Sequence, residues 1–324
     1  MRLPKELQFA IQQEVEKVDR RRLLQATEQI TERYQAADFS APALRTDAHR
    51  AAYLAVRLPA TYAANERVFS EVHRLAPEAE ISSVLDLGAG PGTVLFAAAE
   101  IFPALQQVTL VEADESWVAL GKILTAQSSA VAARQAQWLR LDLRSGLSCE
   151  KHDLVVLSYA LGELSQPAAE AVVRQAWKCA GKFLVVIEPG TKRGFAAVNM
   201  VRSAMIAAGA NILAPCPHRD ACPMHAAGDW CHFAARVERS SQHRQLKGGA
   251  LGYEDEKFSY VVAMRQCFTS TGARIVRHPQ KHSGHVQFTL CTSQGSLSTK
   301  TVTRSSKQDY KLARKSEWGD TWKE

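Results

Sequence analysis

Five short apolar segments alternate with helix-length segments through the middle of the chain. The apolar segments read SSVLDLGAG, QVTLVEAD, AQWLRLDL, HDLVVLSYA and KFLVVIEPG, and the segments between them include 93–102, 117–126 and 167–179. Buried strands that alternate with helices are typical of a parallel sheet with helices on both faces. The pattern therefore predicts a doubly wound α/β domain.

Two further strand candidates, KFSYVVAMR and HVQFTLCTS, lie close together near the carboxyl end of the chain. Seven strands with such a pair at the end fit the sheet of class I S-adenosylmethionine (SAM)-dependent methyltransferases, in which strands six and seven form an antiparallel hairpin. The sequence thus predicts an α/β, Rossmann-like seven-stranded sheet whose last two strands pair with each other.

The rest of the chain is expected to surround this domain, because a single core rarely grows beyond about 300 residues. Leu7, Ile11 and Val15 recur at helical spacing and predict a helical start. The predicted segments are an N-terminal helical region at 1–78, a SAM-binding Rossmann-like domain at 79–212, a Cys-rich insertion at 213–256, the final strand pair at 257–295 and a basic C-terminal extension at 296–324.

A glycine-rich loop, VLDLGAGPGT, follows the first predicted strand and opens a helix. Glycines at such a turn let the backbone approach a nucleotide-like cofactor. The dinucleotide fingerprint G-x-G-x-x-G is not met, because Thr93 stands where the third glycine should be. Asp86, two residues before Gly88, suits a cofactor with positive charge, such as the sulfonium and ammonium of SAM, better than a pyrophosphate. The loop therefore favours SAM over NAD.

Two more acids follow strands of the same predicted sheet. Glu112 ends the second strand and is positioned to accept hydrogen bonds from both ribose hydroxyls of the cofactor. Asp142 ends the third strand near the expected adenine amino group, and a turn-capping role explains it equally well. The predicted cofactor-binding residues are Asp86, Gly88, Gly90, Gly92, Glu112 and Asp142.

The sequence assigns no catalytic residue. After strand four it reads LSYALGEL, without the Asn/Asp-Pro-Pro-aromatic motif that positions an amine for methylation. Ser158, Tyr159 and Glu163 are the candidates for a base or an orienting group, and helix capping explains Glu163 as well.

The stretch CPHRDACPMHAAGDWCHF at 216–233 contains three cysteines and three histidines. Its cysteine spacing is wider than that of common zinc knuckles, so a fourth soft ligand must come from elsewhere. Cys291, at the end of the last strand, is the best candidate. Four thiolates suit either zinc or an iron–sulfur cluster, and the wide spacing favours a cubane. The predicted ligands are Cys216, Cys222, Cys231 and Cys291.

The other metal-ligating side chains have different interpretations. Zinc held by the three cysteines of this stretch with His218, His225 or His232 is the alternative to a cluster, and each histidine by itself is more simply a solvent-facing loop residue. Cys149, Cys179 and Cys267 lie in apolar or helical contexts and are interpreted as buried core thiols.

The net charge of +7 is unevenly distributed. From Arg236 to Glu324 the chain has 16 Lys and Arg against 8 Asp and Glu, so the first 235 residues sum to −1. Such a basic surface favours polyanions, because neutralised phosphates release counterions. The last segment, 296–324, has too few apolar residues for a core of its own and is expected to extend a strand or to order on a partner.

The sequence predicts neither a secretory signal nor a membrane-spanning segment. Its first twenty residues mix acids with bases, and no uncharged apolar run reaches about 18 residues. Seven cysteines, an odd number, suit thiols or metal ligands in a reducing compartment. We therefore expect a cytoplasmic protein without a membrane partner.

The sequence CPHRDACP…DWCHFAARVERSSQHRQLKGGALGYEDEKFSYVVAMR resembles the signature of the methyltransferase-like small-ribosomal-subunit family. The similarity extends upstream to YLAVRLPATYAA, DLGAGPGT, LSYALGEL and IEPGTKRGF, and downstream to FTLCTSQG and YKLARKSEWGD, so it covers most of the chain. Its members include mitochondrial small-subunit assembly factors and bacterial homologues named as rRNA methyltransferases. The chain is similar to a bacterial member.

The resemblance implies cofactors and a partner. It implies a [4Fe–4S] cluster whose four cysteines fall on Cys216, Cys222, Cys231 and Cys291. It also implies SAM binding and contact with small-subunit rRNA during ribosome assembly, either with methyl transfer or as a non-catalytic assembly factor. A small-molecule methyltransferase with a structural zinc is the remaining alternative. In each case we expect a monomer.

Two basic segments are the expected RNA-binding surfaces. In the first, RVERSSQHRQLKGG, a loop held by salt bridges to Glu254, Asp255 and Glu256 is the alternative to phosphate contact. In the second, Tyr310 and Trp318 are expected to stack on bases between the cations. The predicted RNA-binding residues are Arg236, Arg239, Arg244 and Lys247 in the first segment and Arg304, Lys307, Lys311, Arg314 and Lys315 in the second.

Overall fold

The computed structural model of the protein describes residues 1–36, 46–247, 251–268 and 272–324. The chain forms two compact units. The first consists of 1–187 with 235–256, and the second of 188–234 with 257–324. None of the described helices is both long and apolar enough to cross a bilayer.

Four helices begin the first unit: α1 Lys5–Glu16, α2 Arg20–Ala36, α3 Asp47–Val56 and α4 Leu58–Leu75. Helix α1 buries Leu7, Ile11 and Val15, the residues whose spacing predicts it. Pro59 lies in the first turn of α4, where its missing N–H costs nothing. The predicted helical region is thus confirmed over its described part, while residues 37–45 lie outside the described residues.

Five parallel strands form the sheet of the first unit, in the order β3-β2-β1-β4-β5. They are β1 Ser83–Leu87, β2 Gln107–Glu112, β3 Gln137–Arg140, β4 His152–Ser158 and β5 Ala180–Pro189, and the connecting helices are α5 Thr93–Ile101, α6 Glu115–Ala126, α7 Val131–Arg134 and α8 Gln166–Cys179. The strand order reverses direction at β1, and ligands of doubly wound sheets bind at the carboxyl ends of the strands at such a point. The predicted α/β sheet is confirmed for these five strands.

A helix, two short elements and a long hairpin follow: α9 Lys192–Ala207, β6 Asn211–Ala214, α10 Pro223–Ala226, β7 Phe233–Glu238, α11 Ser241–Lys247 and β8 Tyr253–Met264. Strand β8 pairs with β7 and runs antiparallel to β6, with Ile212 opposite Ala263. The tip of this hairpin, 235–256, belongs to the first unit, where α11 contacts α2 and α3.

A second sheet ends the chain. Its elements are β9 Ala273–Ile275, β10 Gln280–Lys281, β11 His285–Cys291, β12 Leu297–Thr303, α12 Lys307–Ala313 and β13 Thr321–Trp322. Strand β11 pairs with β9, β10 and β12. The predicted hairpin of KFSYVVAMR with HVQFTLCTS is therefore wrong, because β8 pairs with β6 and β7 whereas β11 lies in this separate sheet.

The basic segment 296–324 is part of that second sheet. Strand β12 extends the sheet, with Val302 opposite Val286, and Ala313 and Trp322 join Phe288 in its core. The expected strand extension is thus present. The segment has too few apolar residues for a core of its own, and it shares the core formed by β9 and β11. The predicted boundary near residue 295 therefore falls between β11 and β12, two strands that are hydrogen-bonded to each other.

A glycine in α9 allows a close backbone approach, and alanine there is expected to destabilise the protein. A Cβ at Gly194 would lie 2.0 Å from the carbonyl oxygen of Pro189. Alanine in a helix normally gains about 1 kcal/mol over glycine, but this clash should lower the free energy of unfolding by about 1–3 kcal/mol. Urea denaturation measures the change. The control is Gly284→Ala, where a Cβ meets no atom within 4 Å, and equal stability of the two variants would contradict the prediction.

Candidate functional site

A cavity of about 460 Å³ opens at the carboxyl ends of the parallel strands in the first unit. We call it the glycine-loop cavity, because the loop after β1 forms one wall. The ends of β1, β2 and β4 contribute polar side chains, while α3 and α4 contribute a further wall. Of the predicted cofactor-binding residues, Asp86, Gly88, Gly90, Glu112 and Asp142 all line this cavity.

The loop adopts a backbone conformation that favours glycine. Gly88, Gly90 and Gly92 have φ angles of 79°, 53° and 85°, in the left-handed region that other residues rarely adopt. A Cβ at Gly88 would also lie 2.9 Å from the Cβ of Ala160. Gly92 does not line the cavity; it precedes α5, beside the ring of Trp138. Its predicted contact with a cofactor thus has no support from its position.

Asp86 is the most unusual side chain in the cavity wall. It is only 1% exposed, and neither carboxylate oxygen has a hydrogen-bond partner among the described residues. Burial, and then the negative charge of Glu112, raise the pKa of Asp86 well above its ordinary value. A carboxyl group in this state is completed by a ligand that brings positive charge or hydrogen-bond donors.

The raised pKa predicts how stability depends on pH. Below the unfolded-state pKa of 3.8, Asp86 is protonated in both states and has no effect. As the pH rises toward the higher folded-state pKa, the unfolded chain releases this proton first, so the free energy of unfolding falls. Asp86→Asn should remove this fall, and urea denaturation from about pH 4 to about pH 8 measures it. Parallel curves for the two proteins would contradict the prediction.

Three more buried oxygens in the same wall lack a partner within the described chain: Asn65 Oδ1, Thr93 Oγ1 and Ser158 Oγ. Unsatisfied buried polar atoms are rare in native proteins, and each costs about 1–3 kcal/mol. Their concentration around one cavity indicates that a polar ligand belongs there. Asn65 lies on α4, its Nδ2 donates to the Thr61 carbonyl oxygen at 2.9 Å, and no sequence motif marks it.

The two acids predicted to bind a nucleoside already have hydrogen bonds. Glu112 accepts from the backbone N–H groups of Gly90, at 2.8 Å, and of Asp114, at 2.9 Å. Each of its oxygens keeps a second lone pair. Asp142 accepts from the backbone N–H of Arg144 and pairs with that guanidinium, which holds the pKa of Asp142 below its ordinary value. The turn-capping role that the sequence left open for Asp142 is thus present.

The candidate catalytic groups Ser158, Tyr159 and Glu163 all line the cavity. Tyr159 has a φ of 58°, a backbone conformation that is strained for a residue with a side chain and common at functional sites. Its hydroxyl donates to Glu256 Oε1 at 3.0 Å, and Arg57 holds the same carboxylate with two nitrogens. The sequence does not predict this pairing, because 97 residues separate Tyr159 from Glu256.

The four predicted metal ligands line a second cavity, which lies within the second unit. Cys216 follows β6, Cys222 precedes α10, Cys231 precedes β7 and Cys291 ends β11. Burial, followed by the charge of neighbouring cysteines, raises the pKa of Cys231 and brings that of Cys291 to about 12. Without a metal, the thiols of Cys231 and Cys291 are therefore neutral at pH 7. We call this space the cysteine cavity.

The distances between the cysteine side chains bear on which metal group they could bind. Within the described ranges, no group of three or more His, Cys, Asp or Glu side chains comes close enough to hold a metal ion. His218, predicted to face solvent, is buried, with Nε2 3.4 Å from the Cys291 sulfur. His225 is exposed, and His232 lies against the rings of Trp230 and Trp318.

The remaining cysteines correct the sequence interpretation. Cys149 and Cys179 are joined by a disulfide bond, with their Cα atoms 6.1 Å apart, and are therefore not core thiols. Cys267 is exposed. The sequence could not indicate the pair, because 30 residues separate the two cysteines.

The first basic segment is held by salt bridges. Arg236 pairs with Asp255 at 2.8 Å, and Arg239 pairs with Glu254 at 2.9 Å. Two of the three acids of the salt-bridged alternative, Glu254 and Asp255, thus pair with this segment, whereas Glu256 pairs with Arg57. The Arg236 side chain is 59% exposed. Arg244 is exposed on α11, and the Lys247 side chain lies outside the described residues.

The cations of the second basic segment lie on α12 and in the turns at its two ends. Arg304, Lys307, Lys311, Arg314 and Lys315 are all exposed. Tyr310 packs against the core of the second sheet, and the Trp318 ring contacts His278 and His232. These two partly buried aromatic residues thus have contacts within the protein, and their stacking on bases stays a prediction.

Comparisons with known proteins identify relatives. The chain is 27% identical over 284 residues to the human protein "Ribosome assembly protein METTL17, mitochondrial", an alignment that covers 83% of this chain and 61% of the human one. It is 26% identical over 330 residues to "Rsm22-cox11 tandem protein 2, mitochondrial" of Schizosaccharomyces pombe, covering 85% and 43%. The chain thus spans less than two thirds of the length of these relatives.

Among solved structures, the chain has low similarity to two methyltransferases. Magnesium protoporphyrin IX methyltransferase of Synechocystis PCC 6803, solved with bound SAH, matches 65% of this chain and 85% of its own at 14% identity and a TM-score of 0.42. The N-methyltransferase NodS of Bradyrhizobium japonicum WM9 matches 62% and 87% at 12% identity and a TM-score of 0.40.

The family profile described as "Mitochondrial small ribosomal subunit Rsm22" matches residues 47–323. This match includes the glycine loop, both cavities and the second sheet. The chain therefore belongs to the Rsm22 family.

Proposed function

We propose that the protein binds SAM in the glycine-loop cavity and contacts small-subunit rRNA during ribosome assembly. The observation that carries the cofactor assignment is Asp86, a buried carboxylate without a hydrogen-bond partner in the described structure. SAM offers a sulfonium and an ammonium group, whereas a dinucleotide offers a pyrophosphate that this carboxylate would repel. The unpartnered oxygens of Asn65, Thr93 and Ser158 provide further acceptors.

In this proposal, different residues of the glycine-loop cavity bind different parts of SAM. The glycine loop lets the backbone approach the ligand, Glu112 accepts from ribose hydroxyls with its free lone pairs, and Asp142 accepts from the adenine amino group. Asp86 balances the positive charge. When bound, SAM supplies an electrophilic methyl group. Tyr159 is the candidate with a defined proton partner, because its hydroxyl already donates to Glu256.

We further propose that the cysteine cavity holds a [4Fe–4S] cluster, with zinc as the alternative. The donor set supports this, because four thiols line one space. A cubane takes each thiolate at a different iron, so its ligands are spaced more widely than those of one ion. The group would fasten segment 216–233 to the end of β11.

Two observations support rRNA as the partner: the basic surface of the protein and its similarity to a ribosome assembly protein. The human relative is named a ribosome assembly protein, and five exposed cations lie within residues 304–315, on α12 and in the turns at its two ends. Phosphate contacts by such side chains give affinity that falls steeply with salt. A non-catalytic assembly factor is the second candidate function, because Ser158 Oγ has no base within hydrogen-bond distance among the described residues. A cytoplasmic, monomeric protein of bacterial type completes the proposal.

RNA binding tests the partner. Fluorescence anisotropy of the full chain with small-subunit rRNA, across a salt series, should show an affinity that Lys307→Glu with Lys311→Glu reduces, together with the salt slope. The control is Lys5→Glu with Lys122→Glu, which makes the same charge change at exposed residues of the first unit. Equal loss in both double variants, or no rRNA affinity, would contradict the proposal.

Methyl transfer separates the candidate functions. Assembling small subunits are incubated with the protein and SAM carrying a tritiated methyl group. Label in small-subunit rRNA that disappears in Tyr159→Phe identifies an rRNA methyltransferase. Bound SAM and rRNA without transferred label identify the assembly factor. Transfer to small molecules, without rRNA affinity, supports a small-molecule methyltransferase with structural zinc.

A further inference from the structure

A buried arginine adjoins the cysteine cavity. Arg202, on α9, is 4% exposed and lines this cavity. Its Nε–H donates to the Cys216 sulfur at 3.2 Å, and its Nη2 donates to the carbonyl oxygens of His218, at 3.0 Å, and Asp220, at 2.7 Å. One guanidinium thus binds the first cysteine and the turn that follows it.

The charge of Arg202 lacks a carboxylate partner. Over the described ranges, every hydrogen bond of this side chain goes to a sulfur or to a backbone oxygen, and no salt bridge within 4.0 Å includes it. A buried charge is costly unless an opposite charge compensates it. Arg274, also buried, lines the same cavity and donates from Nε to the Pro215 carbonyl oxygen at 2.9 Å.

A cysteine site loaded with metal would be negatively charged and would compensate the positive charge of Arg202. Four thiolates bring four negative charges, and a zinc ion or the core of a [4Fe–4S] cluster cancels only some of them. The remaining negative charge would lie beside Arg202. Hydrogen bonds to ligand sulfurs and nearby charge are known to set the potential of iron–sulfur clusters.

We propose that Arg202 is the positioning and charge-compensating residue of the cysteine site. It stabilises the anionic loaded site through the N–H to sulfur bond at Cys216, and it orients the ligand loop through the carbonyls of His218 and Asp220. This inference rests on the proposed metal site. It predicts that Arg202 stabilises the reduced, more negative state of a cluster more than the oxidised state.

The test compares Arg202→Gln and Arg202→Lys with Arg193→Gln, which removes a charge from an exposed position on the same helix. Each full-length chain is reconstituted anaerobically with iron and sulfide, or loaded with zinc. Metal content, zinc affinity, cluster midpoint potential and the difference in Tm between loaded and metal-free protein are measured. Outer-shell partners typically change metal affinity by roughly 10- to 100-fold, and that loss is expected for Arg202→Gln.

The glutamine variant should also give a more negative midpoint potential and a smaller gain in Tm on loading. Lysine, which keeps the charge, should recover part of each effect, while Arg193→Gln should match wild type. A purely structural arginine would lower the Tm of metal-free and loaded protein equally and leave the potential unchanged, and that result overturns the inference.

Failure of the metal site itself has a different signature. A wild-type chain that takes up neither iron with sulfide nor zinc overturns the proposed site, and this inference with it. A wild type that loads, beside an Arg202→Gln variant with equal metal affinity, midpoint potential and gain in Tm, overturns only the role of Arg202. A lysine variant that recovers none of the loss overturns the charge-compensating part.

Discussion

Cys222→Ser is expected to abolish the iron and sulfide content that anaerobically purified wild type should show, about four of each per chain for a cubane. Cys222 lines the cysteine cavity directly before α10. Serine removes one of four soft ligands and replaces it with a hydroxyl that does not ionise at neutral pH. Iron, sulfide and zinc analysis with the visible absorption spectrum measures the loss.

The same variant should weaken binding to small-subunit rRNA, because the segment 216–233 loses its attachment to the end of β11. Cys267→Ser is the matched control, since Cys267 is exposed and does not line the cavity. It should retain full metal content and rRNA affinity. Unchanged rRNA binding by cluster-free Cys222→Ser would separate the cluster from RNA recognition, and one zinc per wild-type chain would replace the cluster with the zinc alternative.

Asp86→Asn is expected to lower SAM affinity by roughly 30-fold or more. Removing one partner of a buried, hydrogen-bonded charge pair costs about 2–5 kcal/mol, and Asp86 has no other partner in the described structure. Isothermal titration calorimetry at neutral pH measures the change. Because the free carboxyl has a raised pKa, wild type should also bind SAM more tightly as the pH rises through that pKa, whereas the asparagine variant should lose this dependence.

The control for this prediction is Asp153→Asn. Asp153 lies near the start of β4, at the other end of the strands, and accepts from the Ser82 backbone N–H and hydroxyl. Its loss should leave SAM affinity unchanged, although it removes a carboxylate from the same sheet. Equal SAM affinity in Asp86→Asn and wild type would contradict the cofactor assignment.

Asp86→Asn is expected to weaken SAM binding but to make the ligand-free protein more stable at neutral pH, and these opposite effects make the prediction more specific. The asparagine should abolish the loss of stability that wild type shows as the pH rises, while it weakens SAM binding. A substitution that damaged the fold would lower both quantities. A buried, unpartnered carboxyl that lowers the stability of the ligand-free protein but strengthens SAM binding would thus have a functional role and not a structural one.

Local sequence accounts for the elements that form the glycine-loop cavity. The strand that contains Asp86, the turn at Gly88 and Gly90 and the acid Glu112 lie within 27 consecutive positions, 86–112. Each follows from the alternation of apolar segments with helices and from the conformational freedom of glycine. The four cysteines of the second cavity could also be grouped from their types and spacing, with Cys291 chosen because it ends a strand.

Pairing between distant segments could not be predicted in the same way. Strand β11 reads as a seventh strand of the main sheet, yet it pairs with β9, β10 and β12. Alternation of apolar residues specifies a strand and its buried face, but it does not specify which neighbour the strand joins. The contacts of the Tyr310 and Trp318 rings within the protein could not be predicted either, because their partners lie elsewhere in the chain.

By itself, the sequence determined the five parallel strands, the glycine loop, the acids at the strand ends and the set of four cysteines, since each depends on residues that are neighbours along the chain. Only the tertiary structure decided the place of β11, the Cys149–Cys179 disulfide, the pairing of Arg239 with Glu254 and the unpartnered oxygen of Asn65. These features depend on contacts between distant segments, and such contacts form only when the whole arrangement buries enough apolar surface to offset the loss of chain entropy.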